Sequence, residues 1–142
     1  VHEKHILTLN VEGNQMKAVI LDFGGQDAYQ NLAYRILEQR FQSDALKIII
    51  IIVVDVSNIT SFYNVKTRWI PLIKQVSKSA NVKFNSKNCY ILGNKIDLRK
   101  TMEPKSIVTS KMFTNLNYGK TFEISCYDDV FLLQYIILNL NH

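Results

Sequence analysis

Polar and apolar positions along this chain change period several times, and each change marks an element. From His5 to Val11 they alternate: Leu7, Leu9 and Val11 fall on one side of an extended segment, and Ile6, Thr8 and Asn10 on the other. A period of two predicts a half-buried strand with the leucine face inward. Glu12-Gly13-Asn14 predicts a hairpin turn into a second strand over Lys17 to Leu21. From Ala28 to Ala45 the spacing of Leu32, Ile36 and Phe41 is helical. Ile48 to Val54 is an unbroken β-branched run, which predicts a central strand buried on both faces, as parallel sheets produce. Flanked by Lys47 and Asp55, it is too short to span a bilayer.

Phe62, Val65, Trp69, Ile73 and Val76 form the next helical stripe, with Thr60 or Ser61 as its cap. Pro71 lies inside that stripe and predicts a kink or break near Trp69. Cys89 to Leu92 reads as a strand, Ser106 to Leu116 as a helix and Thr121 to Ile124 as a strand. A final helix is expected from Asp128 or Asp129 through Leu140. Strands alternating with helices after one hairpin predict an α/β layer fold with a mostly parallel sheet.

Composition narrows the class only a little. The chain has 142 residues, 47% hydrophobic and 20% charged, the make-up of one globular domain spanning 1–142. Its net charge of +5 comes from scattered lysines, which favours a solvated surface over a nucleic-acid groove. The two cysteines, Cys89 and Cys126, are expected as reduced thiols of a cytoplasmic protein. The three histidines stand near the termini, unclustered, and predict no zinc site. No lipidation cysteine closes the chain, so no membrane anchor is expected within these residues.

The chemistry concentrates after two strands. Asn94-Lys95-Ile96-Asp97 follows Tyr90-Ile91-Leu92-Gly93, so it occupies the carboxyl end of a buried strand, the edge where open α/β sheets bind ligands. There Asp97 can accept two hydrogen bonds from the ring N–H and exocyclic amine of guanine, a donor pair adenine lacks. Asn94 can brace neighbouring loops, and the stem of Lys95 can lie across a base plane. Asp22-Phe23-Gly24-Gly25-Gln26-Asp27 follows the Lys17 strand. Asp22 can hold a hydrated Mg²⁺ through water, Gly25 lets a backbone N–H approach a phosphate, and Gln26 can orient a water.

Asp22-x-x-Gly25-Gln26, Asn94-Lys95-x-Asp97 and Glu123-Ile124-Ser125-Cys126 together resemble three ordered motifs of the Ras-like small GTPases. Val53-Val54-Asp55-Val56, Ser61-Phe62 and Trp69-Ile70 are similar to the middle section of Rab-like members. Asp-Phe-Gly-Gly-Gln also resembles Roc modules, and Gly-Gly-Gln the Arf proteins. Relative to that family, Tyr34 to Lys47 and Ser79 to Lys87 are long. The second, polar and turn-rich, reads as an exposed insertion.

The resemblance implies a P-loop NTPase-like small GTPase fold that binds GTP or GDP with Mg²⁺ and hydrolyses GTP. It implies guanine contacts from Asn94, Lys95, Asp97 and the backbone of Ser125-Cys126-Tyr127, where the family usually carries Ala-Lys at the last two positions. It makes Asp22 the Mg²⁺ residue acting through water, Gly25 the γ-phosphate sensor and Gln26 the catalytic residue. Effector and regulatory proteins are the implied partners. No Gly-x-x-x-x-Gly-Lys-Ser/Thr loop occurs in these residues; Gly119-Lys120-Thr121 mimics only its tail, and Gly119 is expected to cap a helix. The first strand and phosphate loop are therefore expected upstream of Val1, the other possibilities being that the Lys17 and Ile48 strands pair directly or that another polypeptide supplies the missing strand. The alternative is a nucleotide-free or weakly binding pseudo-GTPase, serving as a scaffold or complex subunit.

Overall fold

The computed structural model describes residues 2–11, 13–43 and 47–126. Tyr127 and the expected final helix lie outside them. The chain divides into two compact units at Leu37, each with its own sheet.

The first unit is built on the predicted hairpin. Strand β1 (His2–Val11) pairs antiparallel with β2 (Asn14–Phe23) in a register that sets Leu7 opposite Ala18, Ile6 opposite Val19 and Glu3 opposite Asp22. Gly13 turns the chain with φ at 82°, which a side chain would resist. Leu7 and Leu9 are half-buried while Ile6 and Thr8 are exposed, as the alternation requires. The strand β2 runs past Leu21 to Phe23, so Asp22 is its penultimate residue. A 3₁₀ turn over Asp27–Tyr29 then leads into helix α1 (Gln30–Phe41), which ends short of the expected Ala45.

In the second unit β3 (Ile50–Asp55), β4 (Cys89–Asn94) and β5 (Lys120–Glu123) form a parallel sheet in that order. The centre of this sheet is β4: every residue from Cys89 to Gly93 is buried. Burial pushes the Cys89 thiol up to about 12. The run Ile48–Val54 is thus not the doubly buried centre that its composition predicted. Ile52 and Val54 are buried, but Val53 is 59% exposed. A run without polar residues has no period, so it reads alike whether one face or both are covered.

The core gathers Ile52, Val54, Val56, Phe62, Val65, Ile73, Ile91, Val108 and Phe113. Phe62 and Phe113 meet edge to face with centroids 5.4 Å apart. Helix α2 (Ile59–Asn64) is capped by Asn58, whose side chain accepts from Thr60 N–H at 3.0 Å, two or three residues before the expected Thr60 or Ser61. The predicted break is a π-helical turn over Val65–Trp69, leading into α3 (Ile70–Ser79). Pro71 has no N–H to give Thr67 O, and the chain widens there by i→i+5 bonding, Ile70 N–H reaching Val65 O. The expected helix Ser106–Leu116 shrinks to α4 (Ser110–Thr114). Its predicted start is spent otherwise: Ile107 and Val108 are buried, and Val108 N–H donates to Val56 O at 2.8 Å. None of the helices among the described residues is long and apolar enough to cross a membrane.

Gly119 has φ at 67° just before β5, five residues beyond the end of α4, so it does not cap that helix. A Cβ there would drive into the backbone carbonyl of Cys89 on β4. Left-handed strain and a backbone collision add, so Gly119→Ala should lower unfolding free energy by at least about 2 kcal/mol. Urea denaturation measures this; a midpoint matching the unsubstituted protein would show that the β4–β5 approach can relax.

Candidate functional site

Three parallel strands end on one edge, and their register decides what meets there. Asp55 stands opposite Asn94, and Gly93 opposite Glu123. Each strand therefore delivers its next residues to one place. Ile124 N–H donates to Gly93 O at 2.8 Å and Ile96 N–H to Ile124 O at 3.2 Å, so the chain after β5 is tied by main-chain bonds to the chain after β4.

Side chains reinforce that seam. Asn94 Oδ1 accepts from Lys95 N–H at 2.8 Å and from Cys126 N–H at 3.1 Å. Ser125 is buried, and its hydroxyl donates to Asp97 Oδ1 at 2.7 Å. That bond orients the Asp97 carboxylate. Among the described residues nothing is bonded to Asp97 Oδ2, which leaves an acceptor for a ligand donor. Asn94, Lys95, Asp97, Ser125 and Cys126 are thereby brought together; Tyr127 is outside the described residues.

Lys95 sits in the left-handed region, with φ 67° and ψ 36°. A non-glycine residue held there is uncommon and marks a constrained turn. Its ammonium reaches Asp55 Oδ2 at 2.7 Å. The other oxygen of Asp55 takes Ser57 N–H at 2.9 Å and the Ser57 hydroxyl at 2.6 Å. Burial alone would raise the Asp55 pKa, but hydrogen bonds from Lys95 and Ser57 outweigh it, and the net shift is downward.

Arg99 forms a second brace. Its Nε donates to Val108 O at 3.0 Å, Nη1 to Ser110 Oγ at 3.2 Å, and Nη2 to Glu123 Oε1. One guanidinium thus holds the segment after Asp97, the start of α4 and the end of β5. Sequence reasoning assigned no role to Asp55 or Arg99. Asp55 could have been found, because the last residue of a parallel strand lies beside the last residue of its neighbour. Arg99 carried no such signal, since its three partners are 9 to 24 residues away in sequence.

The other predicted residues lie in the first unit. Asp22, Gly24, Gly25 and Gln26 line an open cleft of about 350 Å³ with Glu3 and Tyr29. A Cβ built at Gly25 meets nothing within 4 Å, so space beside its backbone is open to a ligand. Asp22 is exposed, with Glu3 as its cross-strand partner. Carboxylate and amide oxygens of this kind suit a hard, hydrated cation such as Mg²⁺. Among the described residues no group of three or more His, Cys, Asp or Glu could enclose a metal by itself, so a cation here would keep water or ligand oxygens in its shell.

The model of the Ras family matches residues 1–135. The chain belongs to the Ras family. Its parallel sheet with flanking helices is an α/β, P-loop GTPase-like fold, and it is a GTP-binding small GTPase at the level of that family. Ras-family GTPases bind GTP or GDP with Mg²⁺.

The Asp55–Lys95 link should depend on pH with a definite sign. A carboxylate whose folded pKa is depressed contributes stability above its unfolded value and loses it as pH falls through the folded one. Carbon-13 NMR of Asp55 Cγ should therefore show a midpoint below the ordinary 3.8. Because both groups are partly exposed, Asp55→Asn should remove only about 0.5 kcal/mol at neutral pH. A midpoint at or above 3.8 would break the link.

Proposed function

We propose that this Ras-family chain is a guanine-nucleotide-dependent switch that hydrolyses GTP to GDP. The observation that carries the reading is the orientation of Asp97: Ser125 holds one carboxylate oxygen, and the other remains to accept the adjacent N–H donors of guanine. Asn94 acts from behind, joining the two loops that would border the base. The stem of Lys95, anchored at its ammonium by Asp55, offers an apolar surface to one face of the base. By family resemblance the backbone around Ser125-Cys126-Tyr127 would border the guanine carbonyl oxygen, while the Cys126 N–H itself is given to Asn94.

By family resemblance Asp22 would hold Mg²⁺ through a bridging water, Gly25 would act as the sensor of the terminal phosphate, and Gln26 would orient the attacking water. Mg²⁺, when bound, supplies charge neutralisation for phosphoryl transfer. The remaining work of such a site is positioning, so residues that place the water and the base carry the rate and the selectivity respectively. Effectors and regulators that distinguish the GTP and GDP forms complete the proposal. Rab-like kinship through Val53-Val54-Asp55-Val56, Ser61-Phe62 and Trp69-Ile70, and Roc-like kinship through Asp22 to Gln26, belong to it as well.

Base selectivity tests the reading directly. In a competition titration GDP should displace a fluorescent guanine nucleotide while ADP does not, and Asp97→Asn should weaken GDP and favour xanthosine diphosphate. Equal competition by ADP and GDP would sink the guanine assignment. Absence of binding by any nucleotide would instead support the scaffold reading.

Catalysis is read separately. Gln26→Leu should slow single-turnover GTP hydrolysis by about one to two orders of magnitude at unchanged GDP affinity. Hydrolysis at the unsubstituted rate would remove Gln26 from the catalytic role.

A further inference from the structure

The chain's lysines are scattered along its length, but one stretch lacks acids to balance them. Between Val56 and Ile96 there are seven of the 17 lysines and arginines and none of the 12 acids; the rest of the chain, with ten cations against twelve acids, is net negative. The whole excess of +5 therefore arises from this stretch. Lys95 is committed to Asp55, and Arg68 lies over the Trp69 ring, 4.4 Å from its centroid. Lys66, Lys74, Lys78, Lys83 and Lys87 are all exposed, and among the described residues none makes an ion pair with a carboxylate.

Structure gathers these lysines on the solvent side of one set of elements. The helical run from Ile59 to Ser79 buries Phe62, Val65, Leu72, Ile73 and Val76, and at 1.5 Å per residue it is about 30 Å long. Lys74 and Lys78 are one turn apart on it. The segment that follows folds back on the end of α3: Val82 N–H donates to Ser77 O at 3.0 Å, Phe84 N–H to Ser77 Oγ at 3.2 Å, and Phe84 stacks on Phe41. This return sets Lys83 beside the turn that carries Lys78. Glu38, which reaches the same turn, is hydrogen-bonded to the Ser79 hydroxyl.

We propose that this lysine face, running along the π-helical turn and α3 and over the returning segment to Lys87, is a docking surface for a carboxylate-rich polypeptide segment of a partner protein. Lys74 also lies over the Tyr118 ring, 6.0 Å from its centroid, but among the described residues none of the five ammonium groups has a carboxylate partner, so charge complementarity selects an anionic partner. The residues between the lysines select a polypeptide. Thr67, Gln75, Asn81, Asn85 and Ser86 are exposed and can hydrogen-bond a peptide backbone along the row. A bilayer would need an apolar wedge, and the exposed large hydrophobics here are only Tyr63 and Val82. Phosphates of nucleic acid favour the arginine fork, and the single arginine of the stretch lies over Trp69.

Two triple variants of equal net charge test it. Lys66→Gln/Lys78→Gln/Lys83→Gln removes charge from the face, and Lys100→Gln/Lys105→Gln/Lys111→Gln removes the same charge from exposed lysines elsewhere. The probe is a fluorescein-labelled twelve-residue glutamate-rich peptide, titrated at low and physiological salt. The first triple should weaken binding about tenfold and the second less than twofold, with amide shift changes confined to 63–88. Equal losses in both triples would reduce the effect to diffuse net charge and overturn the proposal. Tighter binding to phosphatidylserine vesicles, or to a single-stranded oligonucleotide, would overturn it in favour of a membrane or nucleic-acid face.

Discussion

Parallel pairing of β3, β4 and β5 is the constraint on which the cluster of Asp55, Asn94, Lys95, Asp97 and Ser125 depends. In a parallel sheet all strands end on the same edge, so residues that follow them are neighbours whatever their distance in sequence. Asp55, Asn94 and Glu123 become three adjacent strand ends in this way. A slip of one residue in β4 would turn Asn94 to the opposite face and separate its amide from Cys126 N–H. The burial of every residue from Cys89 to Gly93 opposes such a slip, because both faces of β4 are packed. Gly93 adds to this: a Cβ there would lie 2.7 Å from the Phe113 ring, so α4 approaches β4 closely only at a glycine.

Charge is handled differently at the site and away from it. At the strand ends each cation has a carboxylate: Lys95 with Asp55, Arg99 with Glu123. These pairs are partly exposed, so each contributes modestly to stability. Their larger effect is geometric, since Lys95 is held in a left-handed turn and Arg99 spans three segments with one planar group. Along the π-helical turn and α3 the lysines have no carboxylate partners among the described residues, and the same ammonium chemistry is left facing solvent.

Much of the fold could be read from periodicity. The β1–β2 hairpin, the break before Pro71 and the strand at Cys89 all follow from local rules of alternation, ring closure and apolar runs. Helix limits were less legible. Ser106 to Leu116 has helical spacing, yet Ile107 and Val108 pack beside β3 and only Ser110–Thr114 is helical, because a buried backbone bond from Val108 to Val56 outweighs local propensity. The β-branched run at Ile48 misled about burial for a simpler reason: without polar residues it cannot say which face is covered.

By itself the sequence determined the order of elements and the chemistry available at their ends. Asn94, Lys95 and Asp97 stand at the end of a buried strand, Asp22, Gly25 and Gln26 at the end of a more exposed one, and each set carries the functional groups its proposed role needs. Only the tertiary structure decided which groups restrain which. That Ser125 holds Asp97, that Asp55 holds Lys95 and that Arg99 reaches Val108, Ser110 and Glu123 are contacts between residues 9 to 40 positions apart. Local spacing carries no information across such separations. Strand register supplies it, and register is set by burial of the whole sheet rather than by any one motif.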